Sequence, residues 1–176
     1  PAGKDVTPYN GSGTAVAAAE TSWYLEHGMD SITYTSPHAV TIPGAVEAWH
    51  RLSVDHGRKE FADMLRPAIA LAEDGYPIPP RVAYDWDRFQ DKIESTEAGK
   101  RTFMPTGKPA AVGDVIRQPE LAATLRIIAD KGPAGFYEGP VAEDMAASLR
   151  GFGGLHTVED FAAHKGLYVD PISTNY

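Results

Sequence analysis

The residues best suited to chemistry are few. Gly11-Ser12-Gly13 places a hydroxyl between two residues without side chains, the arrangement used to cradle a phosphate or to expose a nucleophile. It lacks the third glycine of a dinucleotide fingerprint and the Lys-Ser/Thr of a P-loop. It also lacks the five-residue frame of a nucleophile elbow. As backbone, Asn10-Gly11 favours a tight turn with positive φ, and Gly13 keeps the chain open. Two uses follow: a close approach by a ligand or another chain, or a simple turn. Asn10-Gly11-Ser12 also fits the N-glycosylation acceptor pattern, which matters only in a secreted protein.

The other candidates read as structural. None of the six histidines (27, 38, 50, 56, 156 and 164) forms the i, i+4 pair with a central Glu that builds a zinc hydrolase helix. They are expected to be surface or capping residues, and no metal site is expected. Asp85-Trp86-Asp87 resembles paired carboxylates, but adjacent helical residues do not face each other. The two carboxylates should flank a buried Trp86 in solvent. No nucleotide or other cofactor is called for.

Composition narrows the function further. The chain has 176 residues with 24 acidic and 16 basic side chains, a net charge of −8. Nucleic acid is a poor partner for such a surface, because phosphate contacts need clustered Lys and Arg. Cysteine is absent, which excludes disulfides, thiolate metal sites and cysteine nucleophiles. No run approaches the ~18 apolar residues of a membrane helix. The opening, Pro1-Ala-Gly-Lys-Asp-Val-Thr-Pro8, carries no signal-peptide pattern. Tyr168-Val-Asp-Pro-Ile-Ser-Thr-Asn-Tyr176 reads as an extended segment with nothing to pair with, so a piece of a longer chain is expected.

The elements that must position these residues are mostly helical. A short helix is expected over Glu20–Leu25, ended by Gly28, and Ser31-Ile-Thr-Tyr-Thr-Ser36 reads as a strand stopped by Pro37. Pro43 opens a helix with Val46, Trp49 and Leu52 on one face and Gly57 as its stop. Phe61, Met64 and Leu65 predict a short helix, and Pro67 opens another carrying Ile69 and Leu71 to Gly75. Val82, Trp86, Phe89 and Ile93 form the best apolar stripe, expected to be largely buried. Residues 94–118 read as loop. Pro119 begins a helix with Leu121, Leu125 and Ile128 inward and Gly132 at its end. Val141, Met145 and Leu149 repeat the pattern. Thr157 and Asp160 predict a capped last helix holding Phe161. Strands are expected only at the ends, unpaired or poorly paired.

Six blocks in order carry a resemblance. Tyr9-Asn-Gly-Ser-Gly-Thr-Ala15 with its alanine run, Thr41-Ile-Pro-Gly-Ala-Val46, and Leu65-Arg-Pro-Ala-Ile-Ala-Leu-Ala-Glu-Asp-Gly-Tyr-Pro77 come first. Gly113-Asp114 with Gln118-Pro-Glu-Leu-Ala-Ala-Thr-Leu125, then Gly132-Pro133 with Phe136-Tyr137 and Gly139, follow. Gly153-Gly-Leu155 with Thr157 and Glu159-Asp160 closes the series, resembling a G-G-L-x-T-x-E-D-x-A-x-Y element. In this order they resemble the gamma-glutamyltransferases. The resemblance covers nearly the whole chain.

It implies an α+β fold, the mostly helical part of the large subunit of an αββα N-terminal nucleophile hydrolase, with residues 1–176 as a single, incomplete domain. It implies a precursor that cuts itself, after which the N-terminal Thr of a small subunit attacks a γ-glutamyl amide such as that of glutathione. The Thr α-amine serves as base, and water or an amine resolves the ester. The nucleophile and the Thr-Thr-His start of the small subunit are not in this chain, so no catalytic residue is assigned here and the piece alone is expected to be inactive. The implied partners are the small subunit of the same precursor and a small amide or peptide substrate. The implied substrate-binding residues are Asn10, Ser12 and Thr14. At this loop the family carries an Arg that grips the substrate carboxylate with its fork. Ser12 or Thr14 stands there instead, and no Lys or Arg occurs between residues 5 and 50. A different acyl specificity, as in a cephalosporin-acylase-like amidohydrolase, is therefore an alternative. So are an inactive homologue serving as a binding module and an unrelated helical interaction domain.

Overall fold

The structure, a computed structural model, describes residues 6–172 and residue 174. In chain order its elements are β1 (Tyr9–Asn10), α1 (Thr21–Glu26), α2 (Ala45–His56), α3 (Phe61–Asp74), β2 (Tyr76–Pro77), α4 (Pro80–Arg88), α5 (Gln90–Glu94) and α6 (Glu97–Phe103). There follow β3 (Val115–Ile116), α7 (Pro119–Lys131), α8 (Ala134–Tyr137), α9 (Gly139–Gly151), α10 (Val158–Ala162) and β4 (Leu167–Tyr168). Two compact units share them: Pro1–Met64 with Ile127–Tyr176, and Leu65–Arg126.

The first unit holds the candidate loop. Its core contains Val16, Ile42, Val46, Ile128, Tyr137, Ala142, Ala146 and Phe161, with Ile42 and Phe161 fully buried. Phe161 is aimed inward by a complete capping box: Thr157 accepts from the Asp160 N–H, and Asp160 accepts from the Thr157 N–H. That satisfies two helix-terminal donors at once. On α9 the alanines 142 and 146 are the buried residues, with Val141, Met145 and Leu149 half-buried beside them. On α2 only Val46 and Ser53 are buried, whereas Trp49 and Leu52 are exposed.

Several expectations are corrected in this unit. Ser31–Ser36 is not a strand; the Ser36 N–H donates to Thr33 O at 2.9 Å and closes a turn. β-branched residues favour a strand only where a neighbour offers pairing. The C-terminal strand is paired: β4 runs antiparallel to β1, with Tyr9 opposite Tyr168 and Asn10 opposite Leu167. The last residues of that expected segment, 173, 175 and 176, lie outside the described residues. His156 and His164 are buried rather than superficial. His156 Nε2 lies 2.8 Å from Val40 O, which gives that ring its place in the core.

The second unit is built around Ile78, Ala83, Ala110 and Ile116, with Tyr76, Val82 and Trp86 packed against them. β2 and β3 pair antiparallel, Tyr76 with Ile116 and Pro77 with Val115, so strands are not confined to the ends. Pro77 is tolerated because a two-stranded ribbon leaves one side of each strand free of ladder bonds. Gly75 turns the chain out of α3 with φ +94°.

Four helical expectations also change. α3 runs unbroken through Pro67, because Leu65 and Ala72, seven residues apart, are buried on one face and hold both halves. The Val82–Ile93 stripe is interrupted at Phe89, where φ −110° and ψ 25° leave the helical region. Phe89 is exposed under Arg88 and Lys92. On α7 the buried pair is Ala122 and Ile128, while Leu121 is 45% exposed. Residues 94–118 contain α6, capped by Thr96, whose hydroxyl accepts from the Gly99 N–H at 3.0 Å. Glu97 at its start and Lys100 and Arg101 at its end suit the helix dipole. Asp85 and Asp87 flank Trp86, but Trp86, like Val82 and Ile93, is half-buried rather than buried, and Asp85 is half-buried too, held by Arg81 at 2.8 Å, with Trp86 edge-on to Phe103.

Candidate functional site: the Asn10–Thr14 edge

The Asn10–Thr14 segment leaves β1 and passes the start of α2 with its side chains alternating. Asn10, Ser12 and Thr14 are exposed, and Gly11 and Gly13 between them are half-buried. Gly11 faces the side chain of Ala48 and Gly13 faces main chain. A β-carbon on Gly11 would sit 2.6 Å from Ala48 Cβ, and one on Gly13 would collide with the carbonyl of Ile42. A β-carbon on Gly44 would in turn collide with the carbonyl of Gly11. Neither Gly11 nor Gly13 has a positive φ. The expected positive-φ turn at Asn10-Gly11 is thus replaced by an extended crossing in which absence of bulk, not torsional freedom, is what glycine supplies.

Hydrogen bonds fix the crossing. The Ser12 N–H donates to Asn10 Oδ1 at 3.0 Å, an Asx turn. The Ile42 N–H donates to Thr14 O at 3.0 Å. The structure therefore brings the three sequence-derived residues onto one exposed edge, each offering a short polar side chain.

Beneath that edge lie residues that sequence reasoning did not single out. Glu47, in the first turn of α2, accepts from the Tyr9 hydroxyl at 2.6 Å and from the Gly166 N–H at 3.2 Å. Both bonds end on the same carboxylate oxygen, Oε2. Tyr137 donates its hydroxyl to Pro43 O at 2.6 Å and accepts from the Glu47 N–H at 3.2 Å. Burial pushes the Tyr137 phenol above its ordinary value. Burial, together with the bond to Glu47, pushes the Tyr9 phenol up as well. His164 stacks on Tyr137 with ring centroids 5.3 Å apart. Neither of its ring nitrogens meets a hydrogen-bonding group among the described residues. Only the presence of Tyr9 and Tyr137 inside two of the quoted blocks hinted at this layer.

The first basic residue after the edge in the chain is already committed. Arg51 Nε lies 2.8 Å from Asp55 Oδ2, and Tyr168 donates to the same oxygen at 2.6 Å. The Tyr168 hydroxyl, with Arg51, holds the Asp55 carboxyl below its ordinary value. The edge itself therefore presents hydroxyls, an amide and backbone, and no positive charge. Among the described residues no group of three or more His, Cys, Asp or Glu is placed to hold a metal, and no helix is long and apolar enough to cross a membrane. The second unit has a separate cleft of about 410 Å³ bordered by Arg101, Arg117 and Leu121.

The loop thus lies against the start of α2 with its polar residues alternating outward. The sequence pattern described as gamma-glutamyltranspeptidase matches residues 2–176. The chain belongs to the gamma-glutamyltranspeptidase family. The "Glutathione hydrolase-like YwrD proenzyme" of Bacillus subtilis (strain 168) is 33% identical over 98% of this chain and 33% of its own length. The cephalosporin acylase from Bacillus halodurans superposes with a TM-score of 0.90 at 34% identity, over 98% of this chain and 33% of that one. The gamma-glutamyltranspeptidase of Helicobacter pylori superposes with a TM-score of 0.91 at 27% identity, covering all of this chain and 52% of that one. The fold is accordingly the mostly helical α+β architecture of this N-terminal nucleophile hydrolase family. The chain spans about a third of the length of the curated relatives it matches.

Proposed function

We propose that this member of the gamma-glutamyltranspeptidase family contributes the acyl-binding edge of an amide hydrolase or acyltransferase, through Asn10, Ser12 and Thr14. The reaction it serves is acyl transfer from an amide to an N-terminal threonine outside this chain. That threonine's α-amine takes the hydroxyl proton, the amine leaves, and water or a second amine releases the acyl group. Relatives whose names read glutathione hydrolase proenzyme support the class of reaction and a partner subunit cut from the same precursor.

The observation that carries the finer reading is the charge of the edge. A γ-glutamyl group brings a free α-carboxylate, which a buried site recognises best with a guanidinium fork. Here residues 5–50 contain no Lys or Arg, and Arg51 is bound to Asp55. The acyl group favoured by this edge is one without that carboxylate, and the similarity to a cephalosporin acylase supports the same direction.

The test compares two anilides on the mature full-length enzyme: γ-glutamyl and 4-aminobutyryl, which share the amine and the carbon chain and differ only in the α-carboxylate. The 4-aminobutyryl anilide is expected to give the higher kcat/KM. A higher kcat/KM on the γ-glutamyl anilide defeats the specificity reading, and turnover of neither by a correctly cut protein points to an inactive homologue.

A further inference from the structure

We propose that Glu47 is a positioning residue of the acyl-binding edge, holding the two strands that flank it so that Asn10, Ser12 and Thr14 present their side chains in register. The inference rests on the reading of that edge given above. Tyr9, whose hydroxyl donates to Glu47 Oε2 at 2.6 Å, is the residue immediately before Asn10. Gly166, whose N–H donates to the same oxygen at 3.2 Å, is the residue immediately before Leu167. Asn10 and Leu167 are a cross-strand pair. One carboxylate oxygen thus gathers the residue preceding each member of the pair from which the edge departs.

The anchoring is local and tight. A β-carbon on Gly166, just before β4, would lie 2.7 Å from Glu47 Oε2 and 2.6 Å from the Tyr9 ring, so a side chain there would push one of these two groups aside. At its other end Glu47 is fixed by its own N–H, which donates to Tyr137. Tyr137 in turn holds Pro43 O, just ahead of Gly44, the residue that Gly11 crosses. Glu47 therefore joins β1, β4 and the start of α2, the three segments against which residues 10–14 are laid. A ribbon with two residues per strand has little registry of its own, and the Glu47 carboxylate adds a side-chain clamp to the Val169 N–H bond to Pro8 O at 3.2 Å and the edge-on Tyr9–Tyr168 pair. It touches no part of the exposed edge, so its effect on substrate passes through Tyr9 and Gly166.

The design makes a distinctive demand on substitutions. Because a single oxygen accepts both bonds, the one carbonyl oxygen of a glutamine can replace it, whereas alanine cannot. On mature full-length enzyme, Glu47→Ala is expected to lose about 10- to 100-fold in kcat/KM per correctly cut molecule, the scale of a small displacement of a positioning group. Glu47→Gln is expected to stay within about threefold of wild type, a small fraction of that loss. Amide hydrogen exchange gives a readout independent of catalysis. The Ser12 and Ile42 amides, which fasten residues 10–14, should exchange faster in Glu47→Ala and at the wild-type rate in Glu47→Gln, with α9 amides unchanged in both. Loss in alanine with rescue in glutamine, in both readouts, supports the clamp. Equal loss in both variants, or exchange at Ser12 and Ile42 unchanged in Glu47→Ala, overturns it. Wild-type enzyme inactive on every amide would sink the functional reading alone, and the exchange experiment would still decide the role of Glu47.

Discussion

The carbonyl oxygen of Ile42 occupies the space that a side chain on residue 13 would need. The Ile42 N–H donates to Thr14 O from the same peptide stretch, so this segment of main chain is held against the edge from both sides. Gly13→Ala must displace a fully buried residue, since Ile42 has no exposure. Overpacking of this kind costs about 1–3 kcal/mol, and more when backbone must move. Thermal unfolding of the mature protein should show Gly13→Ala at the upper end of that range. A loss under about 0.5 kcal/mol, the scale of an ordinary surface change, would show that the crossing is loose.

The capping box predicts an acid-sensitive helix. Burial pushes the Asp160 carboxyl up, but bonds from the Ala17 N–H and from the Thr157 hydroxyl and N–H outweigh it. The result is a carboxyl held below its ordinary value. A carboxyl depressed in the folded state contributes stability above its unfolded pKa, and that contribution is lost as pH falls through the folded value. Asp160→Asn should therefore cost about 1–2 kcal/mol at neutral pH. The gap between variant and wild type should narrow as pH drops below about 4. Denaturation midpoints across that range check it; a gap that persists unchanged at low pH would assign the effect to shape rather than charge.

The same box illustrates what was legible in the sequence. Thr157, Asp160 and Phe161 announce their helix within five residues, and Pro119 and Gly132 bracket α7, because capping and helix stops are local chemistry. What failed was set by distant partners. The Ser31–Ser36 run has strand-forming residues and, among the described residues, no strand paired with it. Pro67 reads as a helix start until Leu65 and Ala72 are seen buried on a common face. The β2–β3 ribbon is too short to show alternation, and one of its residues is a proline. Asn10, Ser12 and Thr14 were found through the family blocks, but their shared exposure is caused by Ile42, Gly44 and Ala48, some thirty residues on. His164 is similar: the family element quoted for that stretch ends in Tyr, and only the fold shows the ring stacked on Tyr137.

Phe161 is the largest wholly buried side chain among the described residues. It lies on α10, which packs against α8 and α9, and its truncation removes a wholly buried aromatic ring from the core. Phe161→Ala should destabilise the mature protein by about 3–5 kcal/mol. Urea denaturation would check this through the midpoint. A change below about 1 kcal/mol would mean that α10 contributes far less to the core than its burial indicates.

Thr14 gives the most direct test of specificity. It is exposed at the end of the edge, its carbonyl is fixed by Ile42, and a longer side chain there meets solvent rather than core. Thr14→Arg would place a guanidinium on an edge that has none, with Ser12→Arg as the alternative position two residues away. A charge-assisted contact to a desolvated carboxylate is worth about 2–5 kcal/mol, measured as the cost of leaving the partner charge stranded. At ~1.4 kcal/mol per tenfold, the lower bound corresponds to roughly 30-fold. One of the two variants should therefore raise kcat/KM on the γ-glutamyl anilide by about 30-fold or more. The same variant should leave the 4-aminobutyryl anilide nearly unchanged, because that acyl group has no carboxylate to grip. Equal gains on both anilides would show a general effect of positive charge. No gain from either variant, in an enzyme that still turns over 4-aminobutyryl anilide, would place the acyl group away from this edge.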